Sequence, residues 1–148
     1  MTNVYKCLSD WLQECPDIGD YVYFNVIPMD IDSSSVNSNS GSQILNNYND
    51  GTKEVRLMFY INLIKPYDDG GTSDLNLDAI NVFDKIISFV ERKNNANKFP
   101  DFGEDFIVNK IGATYKAPEV YVTTDNPSIA RYEGQFYVEY LEKKRSEI

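Results

Sequence analysis

The chain holds two cysteines, Cys7 and Cys15, a surplus of carboxylates, and no histidine. Any nucleophilic, acid–base or metal chemistry would have to be built from those types. A thiol needs a base beside it to act as a nucleophile. Histidine is the commonest such base and the commonest zinc ligand, and here it is missing. Without it, Cys7 and Cys15 read as small buried hydrophobes. If both lie on one helix, eight residues apart, their Cα atoms stand about 12 Å apart at 1.5 Å per residue. A disulfide needs about 4.4 to 6.8 Å. Two free thiols are therefore expected, which suits a reducing cytoplasm.

The carboxylates offer little more. Asp30 and Asp32 in MDID lie at i and i+2, so on a strand end they would face one way. That is the start of a cation site, but a solvated loop start is the simpler reading. Asp68, Asp69 and Asp74 surround Gly70 and Gly71. A calcium loop needs oxygen-bearing side chains at alternate positions, Gly at six and Glu at twelve. Placing Gly51 at six puts Tyr48 at three and Leu57 at twelve. Placing Gly70 at six puts Lys65 at one. Neither register works. Gly70-Gly71 lacks the Gly-Lys-Ser/Thr of a phosphate loop, and no G-x-G-x-x-G occurs. Paired carboxylates for glycoside chemistry depend on spacing in three dimensions, which a linear pattern does not carry. No catalytic residue, metal site or cofactor is expected, and the protein reads as a non-enzyme.

The elements that would carry any site are clearer. In TNVYKCLSDWLQE (2–14), Val4, Leu8, Trp11 and Leu12 fall on one helical face. Thr2 or Asn3 would cap its start, and Pro16 and Gly19 end it. YVYFNVIPM (21–29) is aromatic and β-branched, as strands are. KEVRLMFYINLIK (53–65) alternates with period two. Val55, Leu57, Phe59, Ile61 and Leu63 share one face. Between these two strands lies DSSSVNSNSGSQILNNYNDGT (32–52), far longer than an ordinary hairpin tip. It is expected to be a flexible loop. PYDDGGTSD (66–74) is a turn cluster. LNLDAINVFDKIISFVERK (75–93) places Leu77, Ile80, Phe83, Ile86, Ile87 and Val90 on one stripe, which predicts an amphipathic helix. Ser73, Asp74 or Asn76 would cap it, and Arg92 and Lys93 suit its negative end. Three strands follow at 105–115, 118–125 and 131–142, with Gly112 a bulge position in the first. On the last, Tyr132, Gly134, Phe136, Val138 and Tyr140 share a face.

The predicted fold is α+β in the order α-β-β-α-β-β-β, without internal repeats. It is a mixed or antiparallel sheet with two helices packed on one face and a long mobile hairpin loop. Length predicts a single domain spanning 1–148, able to bury roughly 70% of its unfolded surface. At 42% hydrophobic and 14% aromatic, the composition excludes a wholly disordered protein. The net charge of −9 repels phosphate backbones and anionic lipids, so nucleic-acid or membrane binding is not expected. Lys143-Lys144-Arg145 matches no nucleic-acid module and reads as a solvated tail. MTNVYKCLSD lacks the pattern of a signal peptide. No run approaches a membrane span.

The order of elements and the closing SIARYEGQFYVEYLEKK resemble the tail terminator and tail-completion proteins of long-tailed bacteriophages and prophages. Ala130, Arg131, Tyr132, Phe136, Val138, Tyr140 and Leu141 carry the likeness, with Leu57 to Leu63 and the helix from Leu77 to Val90. The resemblance implies a structural virion protein that assembles as a ring, usually a hexamer, on the end of the tail tube. Such a ring ends tube growth and joins the tail to the head. Its implied partners are further copies of itself, the tail tube protein and a head-completion or neck protein. DNA passes through its lumen without sequence-specific binding. Its implied location is the virion tail, assembled in the bacterial host cytoplasm. Within 32–52, Ser33 to Ser42 read as slack. Ile44, Leu45 and Tyr48 read as apolar anchors that order on binding. A small acidic binding protein, of the immunity or anti-defence type, is the alternative, because charge complementarity would speed its capture of a basic partner. Another neck or minor capsid protein is a third reading.

Overall fold

The computed structural model describes residues 4–18, 22–25, 32–68, 70, 74–114, 117–122 and 128–143, with 39–41 described in their backbone only. The elements are α1 (Val4–Leu12), β1 (Val22–Phe24), β2 (Ser34–Asn47), β3 (Lys53–Pro66), α2 (Leu75–Asn95), β4 (Phe106–Ala113), β5 (Glu119–Val122) and β6 (Ile129–Glu142). The fold is α+β, with two helices and a mixed six-stranded sheet in the order β1-β2-β3-β6-β4, where β5 also pairs with β6. β1 pairs with β2 in parallel, and the other pairs are antiparallel.

β3 and β6 form the centre. They pair without interruption from Lys53↔Glu142 to Pro66↔Ile129. Their period-two patterns coincide, so Val55, Leu57, Phe59, Ile61 and Leu63 lie on the same face as Tyr140, Val138, Phe136, Gly134 and Tyr132. The large side chains on this face are buried. Phe59 and Phe136 stack at 5.8 Å, and Phe83 of α2 lies 6.2 Å from Phe136. Gly134 is required by that packing. A Cβ there would stand 2.5 Å from the Phe83 ring. Helix α1 joins the same core through Leu8, Trp11 and Leu12. The Trp11 ring lies 5.3 Å from Phe89, and its Nε1 donates to the Lys98 carbonyl at 3.0 Å.

Several expectations change. Residues 34–47, read as a flexible loop, are a fourteen-residue strand. The hairpin tip shrinks to the turn between Asn47 and Lys53. The expected strand at 21–29 is described only as β1, with 26–31 outside the described residues, and it pairs with β2 rather than β3. The element order is therefore α-β-β-β-α-β-β-β. On α2, Leu77 is 58% exposed and Ile80 is also exposed, whereas Ala79 and Phe89 are buried. The helix presents its stripe to the sheet only from Ala79 onward. The bulge in β4 falls at Asn109, where the register slips between Val108 and Lys110. At Gly112 the Tyr137 ring lies close over the backbone, and a Cβ would come within 3.0 Å of its hydroxyl. Helix α1 ends at Leu12, so Cys15 lies beyond it. Both cysteines are free, Cys15 buried and Cys7 half-buried.

Candidate assembly interface

Ser, Asn and Gly have poor strand propensity, so β2 owes its form to its neighbours. Buried hydroxyls and amides hold its first half. Ser34 Oγ donates to the Ile18 carbonyl at 2.6 Å, and Ser35 Oγ donates to Asn37 Oδ1 at 2.6 Å. Asn62 Nδ2 of β3 reaches the same Asn37 oxygen at 3.2 Å. The second half leans on β3 alone, because β1 pairs only with Ser34, Ser35 and Val36. Past them, the Ser38 amide donates to Asn25 Oδ1 at 2.7 Å. Beyond Ser38, no strand among the described residues lies along the outer side of β2.

The tip is a defined turn. The Gly51 amide donates to the Tyr48 carbonyl at 3.0 Å, and the Tyr48 amide donates to the Thr52 carbonyl at 2.9 Å. Gly51 has φ 90°, the positive-φ geometry glycine allows after a tight turn. Asp50 Oδ1 accepts from the Thr52 amide at 2.9 Å. Glu54 Oε2 accepts from Asn46 Nδ2 at 2.9 Å and from Tyr48 Oη at 3.2 Å. That hydrogen bond to Glu54 is the main reason the Tyr48 phenol titrates above its ordinary range.

The three residues expected as anchors are separated by a bulge at Leu45, where the register steps from Ile44↔Val55 to Asn46↔Glu54. Ile44 shares the helix-side face with Val55 and is 49% exposed. Leu45 is half-buried. Tyr48 is 48% exposed and turns to Glu54, which lies on the opposite face, opposite Leu141. Ile44 and Tyr48 are thus not one patch.

Residues that sequence reasoning missed lie at the other end of the sheet. On β5, Val120, Tyr121 and Val122 are exposed. The Arg131 guanidinium sits 4.5 Å from the Tyr121 ring centroid. Tyr121 Oη donates to Glu119 Oε2 at 2.5 Å, which pushes its phenol up to about 12. Tyr60, Ala117, Glu119, Tyr121, Glu133 and Gln135 line a shallow depression of about 160 Å³ there. Ile107 of β4 is exposed as well. The exposed large apolar side chains of the described residues therefore fall on β1, β2 and its tip, β4, β5 and the first turns of α2, and never on the central β3 or β6. Alternation on β5 is too short to show this from sequence. What decides it is that neither described helix reaches β5.

Chemistry elsewhere is modest. A groove of about 490 Å³ runs beside α1, lined by Cys7, Asp10, Trp11, Lys93, Phe99 and Asp101 among others. Burial, and then Asp10 and Asp101, push the Cys7 thiol up, so it stays protonated at neutral pH. Burial pushes Cys15 up likewise. Lys93 Nζ pairs with Glu14 at 3.3 Å across the groove mouth. Asp32, a candidate cation ligand, holds Lys65 Nζ at 2.8 Å instead, while Asp30 lies outside the described residues. Asp68 Oδ1 accepts from the Gly70 amide at 2.9 Å. Among the described residues no group of three His, Cys, Asp or Glu could hold a metal ion. No described helix is long and apolar enough to cross a membrane. On the outward sheet face, Arg56 donates from Nε at 2.9 Å and from Nη2 at 2.6 Å to Glu139, and it lies over the Tyr137 ring, with Lys110 also near that ring.

No protein-family model matches the chain, and no curated protein matches it.

Proposed function

We propose that this protein is a ring-forming structural component of the tail-terminator type. It would cap the tail tube of a long-tailed phage, meet the tube protein on one side and a head-completion or neck protein on the other, and let DNA through its lumen. In this reading it performs no catalysis. One observation supports the reading above the others: exposed apolar side chains sit at both lateral ends of the sheet and are absent from its centre. A head-to-tail contact needs two unlike patches on opposite sides of one subunit, and it gives a closed ring where the rotation closes. Ile44 supplies one side of that contact, and Val120 and Val122, on the same helix-side face, the other. Tyr48, on the opposite face of the hairpin, is the residue best placed to meet the tube or the neck.

The test is light scattering and negative-stain microscopy of the pure chain, alone and mixed with tail tubes. Rings that bind tube ends are expected. Ile44→Asp should abolish ring formation while leaving the far-ultraviolet spectrum unchanged, because a charge would enter an apolar contact without a partner. A strict monomer indifferent to tubes would sink the reading. A tight one-to-one complex with a basic protein, weakening with salt, would favour the acidic binding protein instead.

A further inference from the structure

Past Ser38, the outer edge of β2 presents backbone groups that no described strand pairs. The Ser38 amide points away from β3, towards Asn25. In an antiparallel ladder, positions that face away from the partner recur at every second residue. Ser38, Ser42 and Ile44 lie opposite Phe59, Leu57 and Val55, which are spaced by two on β3. Ser42 and Ile44 therefore turn their N–H and C=O groups to the same outer side as Ser38. Beyond Ser38, nothing among the described residues pairs there. Residues 33–49 contain no Asp, Glu, Lys or Arg, in a chain of net charge −9. Edge strands are commonly protected by charge, and this one is not. Charges on β2 itself therefore add no repulsion where two such acidic molecules meet there.

We infer that the occupant is β5 of a second copy, added as an antiparallel strand so that the sheet runs on from one subunit into the next. The choice of partner rests on the ring reading; the unpaired edge does not. Within one chain β5 runs antiparallel to β6, and two further antiparallel steps lead through β3 to β2. β5 is therefore antiparallel to β2, and a neighbour in similar orientation presents it correctly. Among the described residues β5 has a single strand neighbour, β6, and its residues 119–122 are all exposed. β4 is the poorer donor. Its Ile111 amide is taken by Asn94 Oδ1 at 3.0 Å, and its ladder is broken at Asn109. The unpaired part of β2 is level with the far end of β6 near Tyr140, whereas β5 is level with Tyr132. Successive copies thus step along the strand direction by roughly 25 Å. This tilts the strands against the axis of a closed ring, as strands tilt in closed barrels.

The test uses the full chain and needs no tail tubes. Ser42→Pro deletes an outward N–H without removing a β2–β3 hydrogen bond. It should weaken self-association about tenfold or more in sedimentation equilibrium, with the circular dichroism spectrum retained. In a Cys7→Ser background, Ser42→Cys mixed with Val120→Cys should give a disulfide-linked pair that neither variant gives alone, because both side chains lie on the helix-side face. A parent chain that stays monomeric, or a Ser42→Pro chain that associates as tightly as the parent, overturns the inference. So does an intact oligomer whose mixed cysteines do not cross-link. Oligomers that cross-link as stated but ignore tube ends would overturn the terminator reading and leave the edge pairing standing.

Discussion

β2 and β4 flank the same β3–β6 centre and are defended very differently. β4 has a bulge at Asn109, exposed Lys110 on its surface, and the Asn94 side chain of α2 bonded to its Ile111 amide. These are standard ways of making a sheet edge unattractive to another chain. β2 has bulges too, between Ser38 and Ser42 and at Leu45. It has no charge from 33 to 49, however, and past Asn25 no covering element among the described residues. One edge is closed by the protein's own side chains, and the other has no such closure among the described residues. The contrast teaches that an edge left open is informative only beside one that is closed in the same molecule.

The contrast can be broken or sharpened by substitution. The largest effect should come from neither edge. Gly134→Val drives a branched side chain into Phe83 at the centre of the sheet. Overpacking of this kind costs about 1–3 kcal/mol or more, and the missing space predicts the top of that range or failure to fold, read by urea denaturation. Stability would then be lodged in the centre, with the edges left for contacts. Next, Asn94→Ala removes the acceptor of the Ile111 amide. Leaving a buried donor unpaired costs about 1–3 kcal/mol. The same change opens β4, so the variant should aggregate at concentrations where the parent does not, measured by light scattering. A variant as stable and as dispersed as the parent would remove the guard from the account of β4.

The smallest effect is confined to alkaline pH. Tyr140 lies on β6 against Phe102 and Phe106, at 5.5 and 5.6 Å between ring centroids, and burial pushes its phenol up to about 12. A pKa raised in the folded state favours the neutral form. The stability linked to it is complete below the unfolded value near 10 and is lost as pH rises towards 12. Thermal melts from pH 9 to 12 should therefore fall more steeply for the parent than for Tyr140→Phe. Parallel curves would mean that the phenol ionises without resistance from the β4 side of the core.

How much of this was legible depends on what builds each strand. β3 and β6 were readable because their alternation is apolar, so the pattern and the burial are the same fact. β2 was not. Its Ser and Asn residues carry turn propensity, and its strand form comes from Ser34, Ser35 and Asn37 bonding to Ile18, to one another and to Asn62 of β3. Tertiary context overrides local preference there, as it often does in sheets. The α2 stripe was readable from Phe83 to Val90. Leu77 and Ile80 continue its spacing but face outward, and Ala79 between them is the residue buried there. Of the site, Ile44 and Tyr48 were legible as exposed apolar residues. Their placement on opposite faces was not, because the bulge at Leu45 leaves no mark in composition.

β6 lies far from β3 in sequence and beside it at the centre of the sheet, and this bears on how the protein folds. Lys53 of β3 pairs with Glu142, across α2, β4 and β5. While the chain is being made, β3 and its five inward apolar residues have only β2 beside them until β6 emerges. Contacts of such long sequence separation form slowly, and an apolar strand with one open edge is prone to aggregate meanwhile. Nascent chains stalled before residue 129 should therefore need a chaperone, whereas chains that include β6 should close the core without one.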